Sequence, residues 1–149
     1  MNSQKTLRVG MLGCGVVGSE VARLIGANQK DLTARSGAKL DLVKIGVRNL
    51  ARPNVAKDLL TTDLESIVKD KNIDLIIEVI GGIEPARTLI LEAFANGKSV
   101  VTANKALLAK HGAELFAAAD KSGVDLYYEA AVAGAIPILR PLRESLVGD

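Results

Sequence analysis

Two rhythms of apolar residues alternate along this chain. Short runs rich in Val, Ile and Leu give way to stretches in which every third or fourth residue is apolar. Thr6–Leu12 is the first run and predicts a buried strand. Val17, Val21, Leu24 and Ile25 follow at helical spacing, in a helix that fades over Gln29–Arg35 and stops at Gly37. Lys39–Val47 reads as a second strand, and Arg48–Lys57, containing Pro53, as a basic loop. Thr62-Asp63-Leu64-Glu65 has the spacing of a capping box and predicts a short helix through Lys69. Asp74–Ile80 is a third strand, closed by Gly81-Gly82. Pro85 suits the first turn of the next helix, which runs to Asn96 with Gly97 as its cap. A short strand at Ser99–Thr102 precedes two helical stretches, Asn104–His111 and Ala113–Lys121, the second ended by Gly123. Val124–Glu129 is the fifth strand, and Ile136–Leu146 is a last helix that Pro141 interrupts. Strands and helices alternating throughout predict an α/β fold, a doubly wound parallel sheet with helices on both faces.

Composition narrows the picture. A chain of 149 residues with 48% apolar residues can bury one sizeable core. Aromatics make up only 3%, so that core is built from Val, Ile, Leu and Ala, as in buried parallel sheets. Nineteen Lys and Arg against 17 Asp and Glu, interspersed, leave no footprint for nucleic acid. No apolar stretch approaches the ~18 residues of a membrane span, and the residues before Leu7 hold no apolar signal segment. A single cysteine forms no internal disulfide, so a cytoplasmic protein is expected.

The chemistry begins where the first strand meets the first helix. Gly13-Cys14-Gly15-Val16-Val17-Gly18 is a G-x-G-x-x-G in strand–turn–helix context, the mark of a Rossmann-like dinucleotide-binding turn. Gly13 permits the tight turn, Gly15 lets the backbone approach a pyrophosphate, and Gly18 lets the helix pack closely on the sheet. Phosphates then face the free N–H groups of the first helical turn, at Val16 and Val17, and the positive end of the dipole. A glycine-rich turn with no ligand is the competing reading.

Other candidates sit at strand ends. The acidic residue that ends the second strand in many NAD-binding folds is missing; Asp41 lies at the wrong end, and the strand closes on Arg48 instead. Arg48, with Arg52 and Lys57 behind it, puts cations where a 2′-phosphate would lie, favouring NADP over NAD. Two further readings stay open for Arg48: stacking on adenine, or a solvated loop. Gly81-Gly82 ends the third strand, where ligands of open parallel sheets bind, or else forms a flexible turn before a helix. Thr102-Ala103-Asn104-Lys105 ends the fourth, and Lys105 there reaches cofactor or a substrate oxygen, or is a solvated lysine at a helix start. Beyond the fifth strand, Glu129 and a run of small residues to Pro137 offer oxygen ligands to a hard cation, or form a tight loop without one. Cys14 reads as a small residue that fits the turn, and His111, the only histidine, as a surface or C-capping residue.

Taken together, Gly13–Gly18, Glu78-Val79-Ile80-Gly81-Gly82, Val100-Val101-Thr102-Ala103-Asn104-Lys105-Ala106-Leu107-Leu108-Ala109, Glu129–Pro137 and Leu142-Arg143-Glu144-Ser145-Leu146 resemble the N-terminal nucleotide-binding domain of homoserine dehydrogenases. The resemblance implies an oxidoreductase that interconverts L-homoserine and L-aspartate 4-semialdehyde with NADP or NAD, in threonine, methionine and isoleucine biosynthesis. It implies Lys105, beside nicotinamide and substrate, as a catalytic residue, and a monovalent cation, while the strand-end reading expects the cofactor on Gly13, Gly15, Val16, Val17, Gly18, Arg48, Gly81, Gly82, Thr102, Asn104 and Lys105. That cation, usually sodium, falls on the Glu129 carboxylate and the carbonyls of Val132, Gly134 and Ile136. Residues 1–149 are then one NAD(P)-binding domain. The family's acidic substrate residues and a second catalytic lysine belong to a domain expected after residue 149, through which the enzyme would form a homo-oligomer. This chain alone is expected to bind cofactor without turnover. Two other functions stay open: a different amino-acid or semialdehyde dehydrogenase, and a non-catalytic nucleotide-sensing module.

Overall fold

A computed structural model describes residues 4–128. β1 (Lys5–Leu12) leads into α1 (Val16–Ala27), α2 (Gln29–Ser36) and β2 (Ala38–Gly46). A single 3-10 turn at Lys57–Leu59 precedes β3 (Leu60–Thr61), α3 (Leu64–Lys69) and β4 (Leu75–Glu78). α4 (Ala86–Ala95), β5 (Ser99–Thr102), α5 (Lys105–Ser122) and β6 (Leu126–Tyr128) complete the described chain. The six strands form one parallel sheet in the order β3-β2-β1-β4-β5-β6. The order reverses between β1 and β4, so their carboxyl ends flank the switch point at which open α/β sheets bind ligands.

The central strand β4 is buried along its whole length, and its Leu75-Ile76-Ile77 run is accordingly apolar on both faces. Val9 and Met11 of β1 meet Val21, Ile25 and Leu32 of α1 and α2; Leu12, one residue out of phase, joins Ile67, Ile90, Phe94 and Leu115 of the other layer. β2 keeps this division only by means of a bulge. Val9 pairs with Leu42 but Gly10 with Lys44. The extra residue resets the two-residue period, so Leu40, Leu42 and Ile45 all face α1 while Val43 faces α3.

Several expected boundaries move. The polar stretch after α1 is a separate helix, α2, closed by Gly37 at φ 79°. Gln29 Nε2 donates to Leu40 O at 2.6 Å and Ser36 Oγ to Ala38 O at 2.8 Å, so contacts with β2 hold what periodicity did not mark. β3, two residues long, is too short to leave a pattern. The capping box at Thr62 does not form; the cap is Asp63, whose Oδ1 accepts from Ser66 N–H at 3.2 Å. Pro85 sits just before α4 rather than inside it. The two helices expected over Asn104–Lys121 are one, because Leu107, Leu115 and Ala119 bury a single stripe across Gly112. The expected helix Ile136–Leu146 lies outside the described residues.

Charged groups divide by role. Arg87 of α4 bridges Glu114 of α5 and its neighbour Glu84, and the guanidinium holds the Glu114 carboxyl below its ordinary pKa. These groups are partly exposed, so the network pins two helices more than it stabilises the fold. Lys98 is buried, 4% exposed, with Nζ donating to Ile73 O at 3.0 Å; burial pushes its pKa down. None of the described helices is long and apolar enough to cross a membrane.

α3 lies across β1 and β2 on two glycines. A Cβ at Gly10 would fall 2.5 Å from Ile67 Cγ2, and one at Gly46 would fall 2.1 Å from Leu64 Cδ2. Ile67 is fully packed and its branched side chain has little freedom to yield. Gly10→Ala is therefore expected to lower unfolding free energy by about 1–3 kcal/mol, measured as a shifted urea midpoint at unchanged slope.

Candidate functional site

The turn after β1 closes against β4. Gly13 has φ 101°, and a Cβ there would lie 2.9 Å from Val79 O. No L residue fits on either ground. Its N–H donates to Gly46 O at 2.8 Å, tying the turn to the end of β2. Gly18 packs on the same turn, where a Cβ would come within 2.9 Å of Gly13 O and 3.1 Å of Val79 Cγ2. Gly15 differs: a Cβ there meets nothing within 4 Å, and its φ of −79° suits any residue. The space beside Gly15 is thus free of protein.

That space belongs to a cleft of about 250 Å³, lined by Gly13, Gly15, Val47, Arg48, Arg52 and Ile80 among others. α1 begins at its edge with no side-chain cap and no acid in its first turn, whereas Asp63 and Asn104 cap α3 and α5. The first-turn N–H groups of α1 have no carbonyl in the helix to accept them. Val16 is 91% exposed at this edge and Val17 is half-exposed, an unusual pair for valines opening a helix. Cys14 is buried, with Sγ 3.6 Å from Ser19 Oγ.

Arg48 is exposed just past the end of β2, and neither it nor Arg52 makes an ion pair among the described residues. Arg52 Nε is buried without a hydrogen-bond partner. Arg52 also borders a second groove of about 650 Å³ between α1 and residues 52–59. Sequence spacing placed Arg52 only behind Arg48; its unpaired nitrogen is a property of the folded loop. Lys57 opens the 3-10 turn and lines neither cavity.

The other candidates gather at the next pair of strand ends and do not line the Arg48 cleft. Gly81 and Gly82 have φ of 81° and 72°. Thr102 and Asn104 are buried, and their polar atoms are spent internally: Thr102 Oγ1 donates to Glu78 Oε2 at 2.5 Å, and Asn104 Nδ2 donates to Gly82 O at 2.6 Å. Asn104 Oδ1 accepts from Leu107 N–H at 3.1 Å, capping α5. Lys105 is the first residue of α5, exposed and without a partner among the described residues. A cation at a helix N-terminus opposes the dipole, so helix stability does not account for it.

Glu78 was not singled out as a site residue from sequence. It is 0% exposed, and its Oε1 accepts from Ile80 N–H at 2.8 Å and Gly81 N–H at 3.2 Å. The available signal was a lone carboxylate closing the apolar run Leu75-Ile76-Ile77. His111 is not a C-cap: α5 continues to Ser122, and His111 Nδ1 lies 3.3 Å from Glu114 Oε2. The expected cation ligands Glu129, Val132, Gly134 and Ile136 lie outside the described residues. Among those described, no three His, Cys, Asp or Glu side chains converge as a metal site.

Comparison with known proteins matches this arrangement. A family model described as "Homoserine dehydrogenase, NAD binding domain" matches residues 13–129. The homoserine dehydrogenase of Mycobacterium tuberculosis is 53% identical over 98% of this chain and 33% of its own length. That of Corynebacterium glutamicum is 50% identical over 95% of this chain and 32% of its own. The crystal structure of a homoserine dehydrogenase from Thiobacillus denitrificans superposes with a TM-score of 0.83 at 46% identity, covering all of this chain and 35% of that one. The chain thus spans about a third of the length of the curated relatives it matches.

Gly15→Val tests the cradle. The added methyls enter open space, so the thermal melt should stay near the parent's. Affinity for a dinucleotide should fall by about 100-fold, ~2.8 kcal/mol, in a direct titration.

Proposed function

Because this chain belongs to the homoserine dehydrogenase family and carries its NAD-binding domain, we propose that it holds NADP or NAD for the interconversion of L-homoserine and L-aspartate 4-semialdehyde, a step of threonine, methionine and isoleucine biosynthesis. The observation that carries this is the open space at Gly15 beneath an uncapped α1, which the pyrophosphate of a dinucleotide fits. When bound, the nicotinamide supplies hydride transfer to and from the substrate carbon. Gly13, Gly15, Val16, Val17 and Gly18 offer backbone donors and clearance to the phosphates. Gly81 and Gly82 give close backbone approach, and Thr102 and Asn104 hold that loop against α5.

Arg48 and Arg52 lean the choice toward NADP. Among the described residues neither guanidinium has an anionic partner and the buried Nε of Arg52 has no acceptor, as suits a pair awaiting a phosphate monoester. Lys105 acts electrostatically: its ammonium stabilises negative charge on the substrate oxygen, with proton transfer completed by a substrate domain outside this chain. The chain alone then binds cofactor without turning homoserine over. A sodium ion on Glu129, Val132, Gly134 and Ile136, assembly into a homo-oligomer through the second domain, and a cytoplasmic location complete the proposal and rest on the sequence resemblance.

Two measurements test it. Arg48→Ala should weaken NADPH more than NADH, by about 1.5–3 kcal/mol, the worth of one charge-assisted contact. Parallel titrations at fixed salt decide this, and an equal loss for both would make Arg48 an adenine contact. In an enzyme joining this chain to its substrate domain, Lys105→Ala should lower kcat/KM about 100-fold, ~2.7 kcal/mol, with an unchanged melt. Near-parental turnover would reduce Lys105 to a solvated helix start.

A further inference from the structure

Glu78 presents a problem that the proposed function leaves unsolved. A carboxylate with no exposure sits at the end of β4, after Leu75, Ile76 and Ile77, and forms no ion pair among the described residues. Burying a charge without a counter-ion is unfavourable, and an apolar side chain would fill the same volume without that penalty. The position therefore needs what only an acceptor supplies.

The need arises from the loop that follows. Val79 N–H still joins the sheet, donating to Leu12 O at 2.9 Å. Gly81 and Gly82 then turn into the left-handed region, and the ladder ends. Ile80 and Gly81 N–H both donate to Glu78 Oε1, at 2.8 and 3.2 Å. Glu78 Oε2 accepts from Thr102 Oγ1 at 2.5 Å, and Thr102 Oγ1 in turn accepts from Asn104 N–H at 3.1 Å. Asn104 returns to the loop through Gly82 O at 2.6 Å and caps α5 through Leu107 N–H at 3.1 Å. The path closes on itself: Glu78, Gly81, Gly82, Asn104, Thr102 and back to Glu78.

We propose that Glu78 is a positioning residue for nucleotide binding, whose carboxylate locks the Gly81-Gly82 loop to the start of α5 so that loop and Lys105 form one rigid unit. This rests on the dinucleotide-binding reading of the cleft. The loop presents backbone to the cofactor only if its own donors are satisfied on the inner side, and Glu78 satisfies them. Thr102 relays the same constraint to the helix that Lys105 begins. Removing the acceptor frees both ends together, because the ring has no other buried anion among its hydrogen-bond partners.

The test uses the 149-residue chain and two variants, Glu78→Leu, which fills the volume without an acceptor, and Thr102→Val, with Gly10→Ala as a control destabilised away from the ring. Without nucleotide, amide hydrogen exchange is read at Ile80, Gly81 and Leu107 against Val100 in β5. With NADPH as the probe, affinity is titrated below each variant's melt. Both ring variants should speed exchange at Ile80, Gly81 and Leu107 about tenfold beyond Val100, and weaken NADPH about tenfold, the scale of a buried group left unsatisfied. Gly10→Ala should leave NADPH affinity at the parental value. Unchanged exchange at Leu107 in both ring variants overturns the coupling, and unchanged NADPH affinity in both overturns the role in binding. Should Glu78→Leu fail to fold, Thr102→Val alone decides. A parent that binds neither dinucleotide overturns the proposed function, while exchange at Leu107 still decides the coupling.

Discussion

The carboxyl end of this sheet depends on how closely the turn after β1 approaches β4. A Cβ at Gly13 would lie 2.9 Å from Val79 O, and one at Gly18 would lie 2.9 Å from Gly13 O. Both contacts are with backbone, which cannot step aside as a flexible side chain can. Substitution at either would push α1 away from the sheet and with it the N–H groups of its first turn. Gly15, between them, has neither crowding nor a left-handed φ. Three glycines in one motif thus answer to two different constraints: Gly13 and Gly18 are required by the fold, and Gly15 by whatever the fold receives.

How much of this was legible depended on whether a feature is local. The β1–α1 turn, the capping Gly37, the strand Ser99–Thr102 and the parallel alternation follow from spacing and residue type within a few positions. α2 was not legible, because Gln29 reaches across to Leu40 O and Ser36 to Ala38 O, contacts that join it to β2. β3 has two residues and therefore no period. Gly112 reads as a break in isolation, yet burial of Leu107, Leu115 and Ala119 carries α5 through it. The site divides in the same way. Glycines and cations at strand ends can be read from the chain, whereas the shared acceptor at Glu78 appears only when β4 and β5 lie side by side.

Three cations at the crevice stand apart from the ion-paired groups of the outer helices. Arg23, Arg35, Lys69 and Arg87 each hold a carboxylate on the outer helices. Arg48, Arg52 and Lys105 hold none among the described residues, and all three follow carboxyl ends of strands. These three add positive potential where the parallel sheet presents its ligands. Screening weakens isolated surface charges beyond roughly 8–10 Å, so these cations act on what enters the crevice rather than on the molecule at large.

The two halves of the crevice differ in kind. Around Gly15 and Arg48 the structure leaves room and unsatisfied donors, the condition for binding by what is absent. Around Gly81, Thr102 and Asn104 every named polar atom already has a partner within the chain. The second half therefore contributes shape and rigidity, and Lys105 carries its ammonium free of partners among the described residues. A site that must grip a cofactor and also direct chemistry at one end of it benefits from that division. Under the proposed function, open donors let affinity reside in the phosphates, and a closed hydrogen-bond ring fixes the loop beside Lys105.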